Sequence, residues 1–95
     1  MNKVLFPKKD YVKELVRIFK LSKNSQKLVK TLSKYHEKDI AEAITLLTPA
    51  ERQHIYNVLD EHMIAEIFSY LDDTEKYLEE LSLEKAARVV SYMDS

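Results

Sequence analysis

The sequence predicts an all-α fold of about seven short helices, and three observations support this prediction. The 95-residue chain contains no glycine and only two prolines, Pro7 and Pro49, so glycine-based hairpin turns and glycine helix caps are excluded. Apolar residues recur at helical spacing along much of the chain. From His36 onward they also repeat with a period of about twelve residues. We expect one domain over residues 1–95.

The first two predicted helices lie near residues 9–20 and 25–35. Their apolar stripes are Val12, Leu15, Val16 and Phe19 in the first helix, and Leu28, Val29, Leu32 and Tyr35 in the second. Ser22, Asn24 and Ser25 form the corner between the two helices. Any of these three residues could cap the second helix.

Five repeat units come next: "HEKDIAEAITLL", "TPAERQHIYNVL", "DEHMIAEIFSYL", "DDTEKYLEEL" and "SLEKAARVVSYM". They predict helices near residues 38–47, 49–59, 61–70, 73–81 and 83–93. Helices this short are marginal alone and must stack on their neighbours. We therefore expect a continuous core that includes Leu47, Ile55, Leu59, Ile67, Phe68, Leu71, Leu78, Leu81 and Val89.

The polar residue that opens each unit is a predicted helix N-cap. Thr48 is the clearest case, because Pro49 takes the first helical position and Glu51 completes a capping box. Asp72 with Glu75 repeats this arrangement without the proline. The predicted caps without a box are His36, Asp60 and Ser82.

The composition excludes several classes of site. Without cysteine the chain can form neither disulfides nor thiolate-bound zinc or iron–sulfur sites. Without glycine it cannot form the phosphate-binding loops of nucleotide-binding proteins. No apolar run approaches the ~18 residues of a membrane span, and no Ser-His-Asp or zinc-protease arrangement is present. We therefore expect a protein that is not an enzyme and a chain that does not itself cross a bilayer.

Charge is distributed unevenly along the chain. The net charge is +8 over residues 1–35, −2 over residues 36–59 and −7 over residues 60–95, which gives the overall −1. A basic end can lie near anionic lipid, and an acidic end attracts cations; either end can also be a solvated helix face. No arginine cluster or aromatic platform accompanies the lysines, so we do not predict nucleic-acid binding.

Glu66 is the candidate functional residue that the repeat pattern singles out. It precedes the apolar pair Ile67 and Phe68, and Glu42 holds the same place in "IAEAI". The pattern alone is typical of an exposed carboxylate beside a buried stripe. His62 lies four residues before Glu66, a spacing that a metal site can use. Its position in the unit holds unrelated residues in other units, so His62 is interpreted as a surface histidine.

The ordered succession of units from "HEKDIAEAITLL" to "VVSYMD" resembles the cytosolic N-terminal domain of the MgtE family of magnesium transporters and channels. That family strings together His-Pro-x-Asp-Ile-Ala, Leu-Pro-x-Glu, Ala-Ala-Glu-Val-Leu and Leu-(Asp/Ser)-Pro-Glu. The resemblance covers residues 36–94 well and the basic pair of helices over residues 1–35 loosely. The chain departs from the pattern at Glu37, where the family usually has proline, and keeps only Pro49.

The resemblance implies a right-handed superhelix with an armadillo-like, FliG-like repeat texture, on the cytoplasmic side of the membrane. In the family this domain precedes CBS domains and a pore, usually in a homodimer. Magnesium at the acidic interface with the CBS domains holds the pore shut. One family ligand falls on Glu66. Others lie one repeat beyond Met93, which makes Asp94 a second magnesium candidate.

The alternative function is a helical scaffold for protein partners, of the type found in the middle domain of the flagellar motor protein FliG. CBS-like segments after residue 95 would favour the transporter, and further armadillo-like helices would favour the scaffold. Asp94 and Ser95 would cap another helix, so we expect the chain to be part of a longer protein. With only one half of an interface, magnesium binding to this chain should be weak.

Overall fold

The computed structural model describes residues 10–93, and this range contains seven α-helices. They are α1 (Tyr11–Leu21), α2 (Ser25–Leu32), α3 (Glu37–Thr45), α4 (Pro49–Val58), α5 (Glu61–Phe68), α6 (Thr74–Leu78) and α7 (Leu83–Met93). No residue in this range forms a strand. The predicted all-α fold with about seven helices is confirmed. The handedness of the superhelix stays a prediction.

The odd-numbered helices pack in series. The helix α1 contacts α3, α3 contacts α5, and α5 contacts α7, while α4 packs against both α1 and α2. The described residues extend over 51 × 28 × 21 Å. Most of these contacts join helices that are near neighbours in the chain.

The predicted capping box at the start of α4 is confirmed. The Glu51 backbone N–H donates to Thr48 Oγ1 at 3.2 Å, and the Thr48 backbone N–H donates to Glu51 Oε1 at 2.9 Å. Pro49 takes the first helical position, where it has no N–H to leave unpaired. Side chains also accept cap hydrogen bonds at Asp10, Asn24, His36, Asp60 and Ser82.

The predicted capping box of Asp72 and Glu75 is wrong. The helix α6 begins at Thr74, after Asp73, whose side chain makes no cap hydrogen bond. The Thr74 hydroxyl donates to the Leu71 carbonyl at 3.1 Å. The helix α6 therefore begins one residue later than predicted. Its repeat unit is two residues shorter than the others.

One continuous core runs from Leu15 in α1 to Val89 in α7. Seven of the nine predicted core residues are buried, and the other two, Leu78 and Leu81, are partly buried and pack against the core. Phe68 meets the Tyr56 ring edge to face, with centroids 5.7 Å apart. Such a pair adds stability beyond the area that it buries. The last residue of α5 is thereby fixed against α4.

Candidate functional site

Glu66 lies on the exposed side of α5. The residues on either side of it, Ala65 and Ile67, are buried in the core, and this packing fixes the rotation of the helix. No described residue forms a hydrogen bond or an ion pair with the Glu66 carboxylate. Its two oxygens therefore face solvent and are free to meet a cation or another domain.

Glu66 also lines a cleft between α5 and the end of α7. The ring of His62 stacks on that of Tyr92, with centroids 3.7 Å apart and planes inclined by 24°. The Ser69 hydroxyl donates to the backbone oxygen of Glu66 at 2.6 Å. His62 is exposed, as predicted. Since its ring contacts Tyr92, it forms one wall of the cleft.

Of the described residues that line this cleft, Glu66 alone carries a carboxylate. Magnesium prefers oxygen ligands, keeps several of its waters, and takes one or two carboxylates directly. Glu66 offers one carboxylate of this kind. Among residues 10–93 no group of three or more histidine, aspartate or glutamate side chains could enclose a metal ion. Asp94, the second candidate, lies outside the described residues.

A buried ion pair joins α4 to the chain just after α6. Arg52 is 5% exposed, and its Nε and Nη2 donate to Glu80 Oε1 and Oε2 at 2.8 and 2.7 Å. Its remaining nitrogen, Nη1, donates to the carbonyl of Leu47. The Tyr56 hydroxyl donates to Glu80 Oε1 at 2.7 Å. All three guanidinium nitrogens thus have acceptors, which is the condition for burying this charge.

The pKa shifts in this cluster keep the Arg52–Glu80 ion pair charged. Burial raises the pKa of the Glu80 carboxyl, but the hydrogen bonds from Arg52 and Tyr56 outweigh burial and hold that pKa below its usual value. Burial, followed by the hydrogen bond to Glu80, raises the pKa of Tyr56 well above its usual value. Glu80 is therefore a carboxylate, and Tyr56 a neutral phenol, across the physiological pH range.

Sequence reasoning did not identify the Arg52–Glu80 pair. The two residues lie 28 positions apart, so no local spacing connects them. One signal was available: Arg52 is the fifth residue of its unit, where other units carry an apolar residue such as Ile40 or Ile64. A charged residue at an apolar repeat position indicates a buried partner.

An open apolar groove lies between α6 and α7. Its lining includes Leu78, Leu81 and Leu83, with the carboxylates of Glu75 and Glu79 at its edge. Leu83, the first residue of α7, is 90% exposed. Exposed apolar surface with a polar rim is typical of a protein interaction site.

The described residues define a class: an all-helical domain of short repeated units with exposed carboxylates. No helix in residues 10–93 is long and apolar enough to span a membrane. The family model of the MgtE intracellular N domain matches residues 35–95. The chain belongs to this family, as its resemblance predicted. Neither the curated proteins nor the solved structures gave a match to the chain.

Proposed function

We propose that the chain is the magnesium-sensing regulatory domain of an MgtE-type magnesium transporter or channel, at the cytoplasmic face of the membrane. The observation that carries this proposal is the family match over residues 35–95. Its partners are the CBS domains and the pore of the same protein, in a homodimer. Its role is to bind and to regulate, without catalysis.

The charge distribution supports this proposal. Residues 60–95 carry a net charge of −7, and a second acidic domain placed against them would repel them unless cations lay between the two. Magnesium supplies this positive charge when it is bound. Since Glu66 offers one free carboxylate, the remaining ligands belong to the facing domain and to water.

A magnesium site whose ligands come from two domains allows the ion to regulate the pore. When intracellular magnesium is abundant, Glu66 and the facing carboxylates share the ion, and the domains stay together with the pore closed. When magnesium falls, the carboxylates repel each other, the domains separate and the pore opens. Closure is driven by the difference in magnesium-binding free energy between the associated domains and the separated domains.

The first test replaces Glu66 in the full-length protein. Glu66→Ala should raise the intracellular magnesium concentration needed to close the pore, measured as magnesium influx or single-channel current. Glu42→Ala is the matched control, because Glu42 holds the same place two units earlier and is also exposed. Equal magnesium dependence in the Glu66 variant and the wild type would refute the role of Glu66.

The second test titrates the isolated chain with magnesium. The dissociation constant should be roughly millimolar or weaker, because few carboxylates bind directly and the facing domain is missing. Amide shifts should centre on Glu66 and the acidic segment after Asp60, and leave residues 10–35 nearly unchanged. Shifts centred on His36 or His54 would locate the ion at a different site.

The scaffold function remains the second candidate, and the groove between α6 and α7 favours it. Leu83→Glu would place a charge on this apolar surface without altering Glu66. Loss of binding to a protein partner, with magnesium dependence intact, would support the scaffold function. Altered magnesium closure in the full-length protein would instead assign the groove to the CBS interface.

A further inference from the structure

A stripe of lysines in and around α2 has no neutralising partner among the described residues. Lys23, Lys27, Lys30 and Lys34 succeed one another at spacings of four, three and four residues, and all are exposed. These spacings place side chains along one side of a helix, away from the buried residues of α2. We refer to these four residues as the lysine stripe.

Some basic residues elsewhere in the fold have acidic partners. Lys20 in α1 lies 3.2 Å from a carboxylate oxygen of Glu51, and Arg88 in α7 lies 2.8 Å from one of Glu61. No lysine of the stripe forms an ion pair with a residue in the described range 10–93. The stripe therefore presents four uncompensated positive charges to solvent.

The lysines of the stripe lie three or four residues apart and repel one another. Lys27 lies in the first turn of α2, which contains no acidic residue, and a positive charge there opposes the helix dipole. Lys30 lies in the last turn, where a positive charge is favourable. An anionic surface against α2 would offset the repulsion between the lysines.

Two aliphatic residues near the stripe in the sequence are exposed. Leu21, which lies between Lys20 and Lys23 in the sequence, is 71% exposed, and Val29 is 38% exposed. Lysines suit an anionic lipid surface, because their ammonium groups meet the negatively charged headgroups. Binding of single-stranded nucleic acid would favour aromatic residues for stacking, and residues 23–34 contain none.

We propose that the lysine stripe of α2 binds the anionic lipid headgroups of the cytoplasmic leaflet. This inference rests on the proposed function, which puts the domain beside a membrane, and adds to it a lipid-binding surface distinct from Glu66. The stripe lies in and around α2 and Glu66 lies in α5, two helices without an extensive contact. Lipid binding at one surface and magnesium binding at the other can therefore be measured separately.

The test is co-sedimentation of the 95-residue chain with lipid vesicles in the absence of magnesium. The chain should bind vesicles of phosphatidylcholine with about a third phosphatidylserine, and binding should fall as salt screens the charges. The double variant Lys27→Gln/Lys30→Gln should bind about thirtyfold more weakly. Glutamine is a good helix former, and circular dichroism would verify that the variant is folded.

The matched control is Lys38→Gln/Lys76→Gln, which changes the net charge equally but lies in α3 and α6. This control should bind like the wild type. An equal loss in both double variants would overturn the proposal, because the effect would then depend on net charge alone. Equal binding to pure phosphatidylcholine, or binding to duplex DNA or single-stranded RNA without binding to vesicles, would overturn it too. Vesicle binding should survive Glu66→Ala, so a failure of the gating proposal is distinguishable from a failure of this one.

Discussion

At the scale of single residues, Arg52–Glu80 is the most buried of the ion pairs found among residues 10–93. The side chains are 6% and 17% exposed, so both charges are largely removed from water. Removing one member of a buried pair leaves the other charge without compensation, and this is far more destabilising than losing an exposed pair. The same pair closes α4 against the segment after α6.

Glu80→Gln should therefore reduce the free energy of unfolding by about 3 kcal/mol, measured by urea denaturation at pH 7. Glutamine keeps the size of the side chain but removes the charge that Arg52 needs. Glu79→Gln is the matched control at an exposed neighbouring position, with an expected change of about 0.5 kcal/mol or less. A similar small change for Glu80→Gln would show that Arg52 finds another acceptor or water.

The pH dependence of stability should depend on the same residue. Because the pKa of Glu80 is lower in the folded protein than in the unfolded chain, protonation favours unfolding. The stabilisation is present above the unfolded pKa, about 4.3, and is lost as the pH falls through the folded value. Between pH 7 and pH 3 the wild type should thus lose more stability than Glu80→Gln. Parallel curves for the two proteins would contradict this.

The capping box at Thr48 gives a second prediction at this scale. Thr48→Ala should lower stability by about 1 kcal/mol and lower the thermal midpoint, because the Glu51 N–H loses its acceptor. Thr48→Ser keeps a hydroxyl at the same position and should retain most of the stability. If alanine and serine gave the same midpoint, the cap would not be what holds the start of α4.

At the scale of helices, α6 is the shortest of the seven described helices. It spans five residues and has no side-chain cap hydrogen bond, whereas α5 spans eight residues and is capped by Asp60. Tyr77 is its one buried residue. A helix of this length depends on tertiary contacts, so α6 is held by the packing of Tyr77 and by the anchoring of Glu80 after its end.

We expect the amides of α6 to exchange with deuterium faster than those of α5. Local opening of α6 breaks fewer buried contacts than opening of α5, which buries four residues. Exchange measured by NMR at pH 7 tests this directly. Equal protection of the two helices would mean that they open only together, as one cooperative unit.

The helices also show how far the sequence was predictive. Periodicity and caps located all seven described helices, because the apolar stripe and the polar first residue are local features of each unit. The predicted start of α6 was wrong. The Thr74 hydroxyl donates to the Leu71 carbonyl in the preceding turn, and the helix begins only at Thr74. Arg52 and Glu80 were missed, because only the folded chain brings together residues 28 positions apart. The exposed place of Glu66 was predictable from its unit, whereas its role as a magnesium ligand came from family resemblance and stays a prediction.

At the scale of the whole molecule, the serial packing of α1, α3, α5 and α7 decides how a perturbation spreads. No extensive contact joins α1 to α5 or α7. Repeat proteins of this kind have a stability that is approximately a sum over units and their nearest-neighbour interfaces. A defect at one end should therefore weaken that end first, which would let the acidic end change its contacts without unfolding the basic end.

Two core substitutions at opposite ends test this expectation. Leu15 in α1 and Val89 in α7 are both fully buried, and truncating each to alanine leaves a cavity costing about 1–4 kcal/mol. Deuterium exchange should show that Val89→Ala lowers protection mainly in α5 and α7, and that Leu15→Ala lowers it mainly in α1 and α3. Each variant is the control for the other, because both remove core methyl groups and differ chiefly in location. If either variant lowered protection equally in all helices, the described residues would unfold as one unit, and the serial packing would not separate the two ends.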